Sequence, residues 1–329
     1  MSIAKRSELL FIYDLAWANP NGDPLDANKP RIDVETGINF VTDVRLKRTI
    51  RDELISRGYE VLIRDTFTED GTLADGKHRA MDFMPEGVTK TTKKLTPEQI
   101  KQLNENVLKK CIDVRLFGCT LPFEMNKDRD REQDKEKEKG KSSGSVTYTG
   151  PVQFKMGYSL HPVKCEFIKG TGAFASSDNK DQKTFRQEYV LPYSLIIFYG
   201  IVNNRAAKLT GLTDDEVILM MNAMWDGTKN LISRTKAGQV PRLLVRVVYK
   251  DENYHIGELD KYVSFDYEGN GESIRDIQDG KLKLLGLVNK VSSCADKVEE
   301  VQIRLDERTP IDIDLVEELG KKGIKVVNL

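Results

Sequence analysis

Arg45, Lys47, Arg48 and Arg51 put four cations into seven residues, with no acid between the first and the last. On a helix advancing about 100° per residue, Lys47, Arg48 and Arg51 fall on one side, with Arg45 on its flank. Leu46, Ile50 and Leu54 fall opposite. One face enters a core; the other is a cationic ridge. The chemistry such a ridge offers is attraction of a polyanion. On residue types alone it also reads as a solvated helix face. A second acid-free stretch, Gly227 to Lys250, carries six bases: Lys229, Arg234, Lys236, Arg242, Arg246 and Lys250. Residues 295–318 carry nine acids against three bases, so the chain is polarised although its net charge is −1.

Bond-breaking chemistry is harder to assemble. There is no Gly-x-Ser-x-Gly and no Gly-x-x-x-x-Gly-Lys-Ser/Thr, the patterns of a nucleophile elbow and a phosphate loop. Four cysteines lie scattered with no Cys-x-x-Cys, and three histidines are equally dispersed. Structural zinc is therefore not expected, no cofactor is implied, and reduced thiols in a cytoplasm are the default. The carboxylate that draws attention is Asp23, in the loop Asn19-Pro20-Asn21-Gly22-Asp23-Pro24. Its ordinary role there is a turn residue bonding its own backbone.

These residues need elements to position them. Leu9 to Leu15 is too short and too aromatic for an ordinary helix and reads as a strand buried on both faces. Asn21-Gly22 marks the turn. Thr42 caps the next helix, with Asp43 in its first turn. Thr96-Pro97-Glu98-Gln99 opens another helix through a capping box with Pro at the first position. Residues 126–141, with seven bases and six acids, read as an exposed helix or a flexible loop. Val152 to Leu160 alternates with period two, placing Val, Phe, Met, Tyr and Leu on one face. Residues 165–188 form a polar excursion. Tyr189 to Val202 returns as a strand whose Pro192 predicts an edge or a bulge. Thr213 to Glu216 is a second capping box, before a Met-rich helix that Gly227 should interrupt or bend. Arg242 to Tyr249 reads as a strand, with weaker strands at Tyr262–Phe265, Lys281–Leu287 and Ile324–Val327. Strand, helix, strand, strand, helix, strand is the ferredoxin-like order of an α+β fold. With 329 residues, 39% of them hydrophobic, and no run of about 18 apolar residues, neither a membrane span nor a signal peptide is expected.

The stretch from Asn-Pro-Asn-Gly-Asp-Pro through Pro30-Arg31-Ile32-Asp33 to Val41-Thr42-Asp43-Val44-Arg45-Leu46-Lys47-Arg48, with Gly150-Pro151-Val152-Gln153-Phe154 later, resembles the backbone subunit of the type I CRISPR surveillance complex (Cascade). The subtype I-B form is nearest. The resemblance implies an RNA-recognition-motif-like palm (residues 1–60 and 146–329), a helical fingers insertion (about 61–145) and a thumb hairpin (about 165–188). It implies a non-enzymatic, cytoplasmic subunit that polymerises with copies of itself along the CRISPR guide RNA and presents it to a target DNA strand. Its other partners would be the large subunit, the guide 5′-end cap subunit and the guide-processing endoribonuclease. The chain lacks the aromatic RNP signature, which suits a protein that grips any guide by its phosphates. The RNA-contacting residues so implied are Arg45, Lys47, Arg48 and Arg51, with Arg234 and Lys236. Asn19, Asn21 and Arg31 would act from the loop, and Phe174 would be a base wedge on the thumb. Two other functions stay open: a metal-dependent endoribonuclease using Asp23, as in type III relatives, and a scaffold that meets only proteins.

Overall fold

The apolar run that opens the chain is the centre of a sheet in the computed structural model, which describes residues 3–66, 79, 82–85, 96–124, 143–175 and 183–329. The first elements are β1 (Ser7–Ala18), β2 (Gly22–Asp23), β3 (Lys29–Pro30), β4 (Ile38–Val41), α1 (Asp43–Ser56), α2 (Pro97–Lys110) and α3 (Ile112–Phe117). Then come β5 (Gly118–Glu124), β6 (Ser143–Thr149), β7 (Val152–Phe154), β8 (Gly157–Pro162), β9 (Glu166–Ala175) and β10 (Lys183–Val202). They are followed by α4 (Asn204–Thr210), α5 (Asp214–Lys229), β11 (Val240–Tyr249), β12 (Ser264–Tyr267) and β13 (Gly280–Lys283). The chain finishes with α6 (Leu285–Ser292), β14 (Val298–Leu305), α7 (Leu315–Lys321) and β15 (Val326–Asn328). This is a mixed α+β architecture. The chain forms two compact units.

The larger unit comprises Lys5–Ile50, Phe154–Val202 and Met221–Leu329. Its sheet runs β15-β14-β11-β1-β10-β8-β4, with β9 paired to β10 off this path. Pairing is antiparallel except between β14 and β15. β1 is flanked on both edges, Phe11 lying between Phe198 and Leu244. Ser7 to Leu15 are all buried. Leu10 and Ile12 join one core with Tyr193, Leu195, Ile197, Val245 and the C-terminal residues Leu259, Leu282, Leu287 and Leu315. Each such side chain contributes about 1.5–3 kcal/mol over its exposed state.

Several polar groups inside this unit are matched. Buried Glu8 accepts hydrogen bonds from the Tyr199 and Tyr249 hydroxyls and from the N–H groups of Ile256 and Gly257, both at 2.8 Å. Arg242 pairs with Asp14 at 2.9 Å and Asp306 at 2.6 Å. Fully buried Arg246 donates to the Ser7 hydroxyl at 2.9 Å. The basic stretch from Gly227 to Lys250 is therefore divided: its two strand arginines serve the core, while Lys229, Arg234 and Lys250 are exposed. His161 is buried; its Nε2 accepts from the Leu195 N–H at 3.3 Å and Nδ1 meets the Gly271 carbonyl at 3.0 Å. Burial holds its pKa below the usual 6.5.

Four expectations change. The continuous strand Val152–Leu160 breaks after Phe154, and its phase inverts: Gly157, Ser159 and His161 are buried, while Met156 is 57% exposed. Gly157 lies under Phe198, where a Cβ would sit 2.4 Å from the ring, so only glycine fits. Pro192 is not on an edge strand; it lies where β9 pairing ends, at Val190, and before β8 pairing begins, at Ile196. α5 runs through Gly227 to Lys229. Lys281–Leu287 is β13 followed by the start of α6.

The smaller unit comprises Met1–Ala4, Arg51–Gln153 and Asn203–Met220. The capping box at Thr96 is formed with Gln99, and that at Thr213 with Glu216. Leu62, Phe83, Leu103, Val107, Cys111 and Val114 form its core. β5 and β6 pair as a hairpin. Much of the stretch assigned to fingers, including the charged run 126–141, lies outside the described residues, as do 176–182 of the thumb stretch.

Glu8→Ala leaves three donors without that acceptor, the Ile256 N–H keeping the Tyr249 hydroxyl at 3.3 Å, at about 1–3 kcal/mol each when unsatisfied. Urea unfolding should show a loss of at least about 3 kcal/mol; a loss under about 1 kcal/mol would mean that water replaces the carboxylate. His161 has a folded pKa below its unfolded one, so its contribution is complete above about 6.5 and is lost as pH falls below that value. His161→Gln should flatten this acid limb of a stability–pH profile.

Candidate nucleic-acid interface

Asn19 ends β1 and is 1% exposed. Its N–H donates to the Thr235 carbonyl at 2.7 Å, and its carbonyl accepts from Lys236 Nζ at 3.1 Å. Its Nδ2 donates to the Asn28 carbonyl at 2.7 Å and the Tyr189 carbonyl at 3.3 Å. The residue thus ties together the end of β1, the β2–β3 turn, β10 and the turn after α5. Asn21 ties the same loop to α1: its Oδ1 accepts from the Thr42 N–H at 2.8 Å and the Thr42 hydroxyl at 2.9 Å. Thr42 Oγ1 in turn accepts from the Arg45 N–H at 3.3 Å, the capping interaction its position predicts.

The cations follow from this frame. Leu46 and Ile50 are buried, which turns Arg48 to solvent and leaves Arg45 and Lys47 half-buried. Lys47 pairs with Asp43 at 2.9 Å. Lys236 is half-buried, and its pKa falls to about 8 through burial and then the charge of Arg45. Two like charges are thus held close enough to feel each other. Arg234, 60% exposed, pairs with Glu188. Lys29 lies over the Tyr189 ring, 5.4 Å from its centroid. Arg31 pairs with Asp23 at 2.8 Å.

Asp23 is fully engaged: besides Arg31, its carboxylate accepts from the Leu25 N–H at 3.0 Å, and its carbonyl accepts from the Asn28 N–H at 2.8 Å. This is the turn role. Arg51 leaves the ridge. It is buried, its Nε donates to Asp113 at 2.9 Å, and its guanidinium lies 5.2 Å from the Phe117 centroid. Asp113 also accepts from the Leu62 N–H at 2.7 Å, so Arg51 balances a carboxylate that holds the small unit together. Phe174 falls in β9, and its side chain lies outside what is described. Trp17 was not anticipated: it is exposed and has φ of +50°, a conformation that no sequence pattern announces.

Cations held on a stapled loop and a helix flank offer charge attraction to an anion. The family described as CRISPR-associated protein Cas7 matches residues 5–285. The chain belongs to the Cas7 family. It is 33% identical over 318 residues to the CRISPR-associated protein Cas7 of Haloferax volcanii, covering 95% of this chain and 90% of that relative. Its fold is similar to a chain of a solved CRISPR RNA-guided surveillance complex in a pre-nicking state. That match has a TM-score of 0.52 at 15% identity, covering 97% of this chain and 99% of that one. In this Cas7 chain no described helix is long and apolar enough to cross a membrane.

Arg51 and Arg48 should separate cleanly in urea unfolding. Arg51→Ala leaves Asp113 buried without its cation and should cost about 3–5 kcal/mol. Arg48→Ala, on an exposed position, should cost under about 1 kcal/mol. Equal costs would contradict the division of the ridge into a buried and an exposed part.

Proposed function

We propose that this chain is the guide-RNA-binding backbone subunit of a type I, I-B-like Cascade. Several copies polymerise along the CRISPR guide RNA and hold it ready to pair with a target DNA strand in antiviral defence. The other partners are the large subunit, the 5′-end cap subunit and the guide-processing endoribonuclease, in the cytoplasm. The larger unit is the RNA-recognition-motif-like palm. The sheet order β11-β1-β10-β8 is what a ferredoxin-like chain of these elements gives, and it supports that reading. Residues 61–145 are the fingers and 165–188 the thumb, with Phe174 as the wedge that flips a base.

Arg45 and Lys236 carry the reading. They are two cations held near one another on a frame stapled by Asn19 and Asn21, and a bound phosphate relieves their repulsion. Lys47, Arg48 and Arg234 extend the contact, and Arg31 keeps Asp23 in its turn. Arg51 is not included, since its charge balances Asp113. The subunit is not itself a nuclease: Asp23 is held by Arg31 and the turn, which favours a structural carboxylate.

RNA binding by the purified protein tests this. Unrelated single-stranded RNAs should bind alike, copies should add with length, and affinity should fall steeply with salt. Arg45→Glu/Arg48→Glu should abolish binding while the protein stays folded. Binding that ignores salt and survives this double substitution would favour a protein-only scaffold. Lys236 adds a pH signature. An amine with a pKa near 8 is charged below that value and neutral above it. On an RNA of adenine and cytosine only, affinity should therefore weaken as pH rises through about 8, and Lys236→Arg should remove that dependence.

A further inference from the structure

Trp17 combines two features that seldom coexist. Its side chain is 58% exposed, and its φ of +50° lies in the left-handed region, where a bulky residue is strained. The ladder accommodates it: Ala16 pairs with Tyr193 and Ala18 with Leu191, so Trp17 faces Pro192, which has no N–H to offer. The result is that Ala16 and Trp17, two consecutive strand residues, both face solvent, where alternation would bury one of them. Core packing does not account for a strained indole held in water. Trp17 is two residues from Asn19, whose carbonyl holds Lys236.

We propose that Trp17 is a stacking platform for one nucleobase of the RNA strand whose phosphates meet Lys236 and Arg45. This rests on the RNA-binding reading above. An indole accepts any base face, so the contact adds affinity without reading sequence. It supplies, from the end of β1, the aromatic contact that the missing RNP signature does not. The other tryptophan, Trp225, is 2% exposed, so an aqueous quencher reports on Trp17.

The test compares the full chain with Trp17→Ala, Trp17→Phe and Trp17→Gly on two oligonucleotides of equal length, one a normal single-stranded RNA and one abasic. Wild type should lose acrylamide quenching on binding the normal RNA. Trp17→Ala should bind that RNA roughly tenfold more weakly, bind the abasic strand like wild type, and be largely rescued in Trp17→Phe. Trp17→Gly, which accepts the left-handed φ without strain, should melt no lower than wild type and lose the same affinity. Equal affinity of Trp17→Ala and wild type for the normal RNA overturns the platform and leaves the RNA reading standing. So does an equal loss on both strands, which would place Trp17 at a contact between copies. A low melting point for Trp17→Gly with affinity kept assigns the residue to folding and also overturns the platform. Failure of wild type to bind either strand overturns both.

Discussion

A strand hydrogen-bonded along both edges and buried on both faces leaves its few polar side chains no water to turn to. β1 is such a strand, and its neighbours supply what the solvent cannot. Glu8 near its start takes two tyrosine hydroxyls and two backbone N–H groups. Asp14 takes Arg242 and the Tyr193 hydroxyl. Ser7 takes Arg246. The partners sit on β10, on β11 and on the connection after β11, so the register of β10 and β11 on β1 is fixed by polar contacts as well as by apolar burial. Misregister by one residue would strand a charge in the core, which costs far more than losing one apolar contact.

The same strand fixes the candidate interface, because the loop that follows it starts from an immobile point. Asn19 is buried and bonded to three other segments, the turn after α5, the β2–β3 turn and β10, and Asn21 passes that position on to the N-terminus of α1. Arg45 on that helix and Lys236 in the turn after α5 are therefore near enough for the charge of one to lower the pKa of the other, although they are far apart in sequence. Burial divides the basic residues by role. Arg51 and Arg242 pair with interior carboxylates and Arg246 with the Ser7 hydroxyl; Arg48 and Arg234 are exposed; Arg45 and Lys236 lie between these extremes.

What could be read in the sequence was local. The buried strand, the Thr42 cap, the boxes at Thr96 and Thr213 and the apolar line Leu46–Ile50–Leu54 each depend on residues within a few positions of one another. What could not be read depends on partners from far away. Arg51 differs from Arg48 because Asp113 arrives from 62 residues further on. The phase of β8 inverts because Phe198 covers Gly157. Arg242 and Arg246 looked like surface charge until β14 and the chain after it brought Asp306 and Gln302 beside them. The left-handed turn at Trp17 depends on a proline across the ladder.

β10 is the longest element among the described residues, 20 residues, or roughly 65 Å at about 3.3 Å per residue. Its outer part is paired with β9 as one arm of a hairpin, and its inner part is locked between β1 and β8. Mechanically it is a single beam clamped at one end and projecting at the other. A beam loaded at its tip bends where its lateral support changes, and here that is the short span around Pro192, between the last residue paired with β9 and the first paired with β8. A load on the projecting arm is therefore delivered to the point where Trp17 and Asn19 lie, and the sheet behind it is shielded.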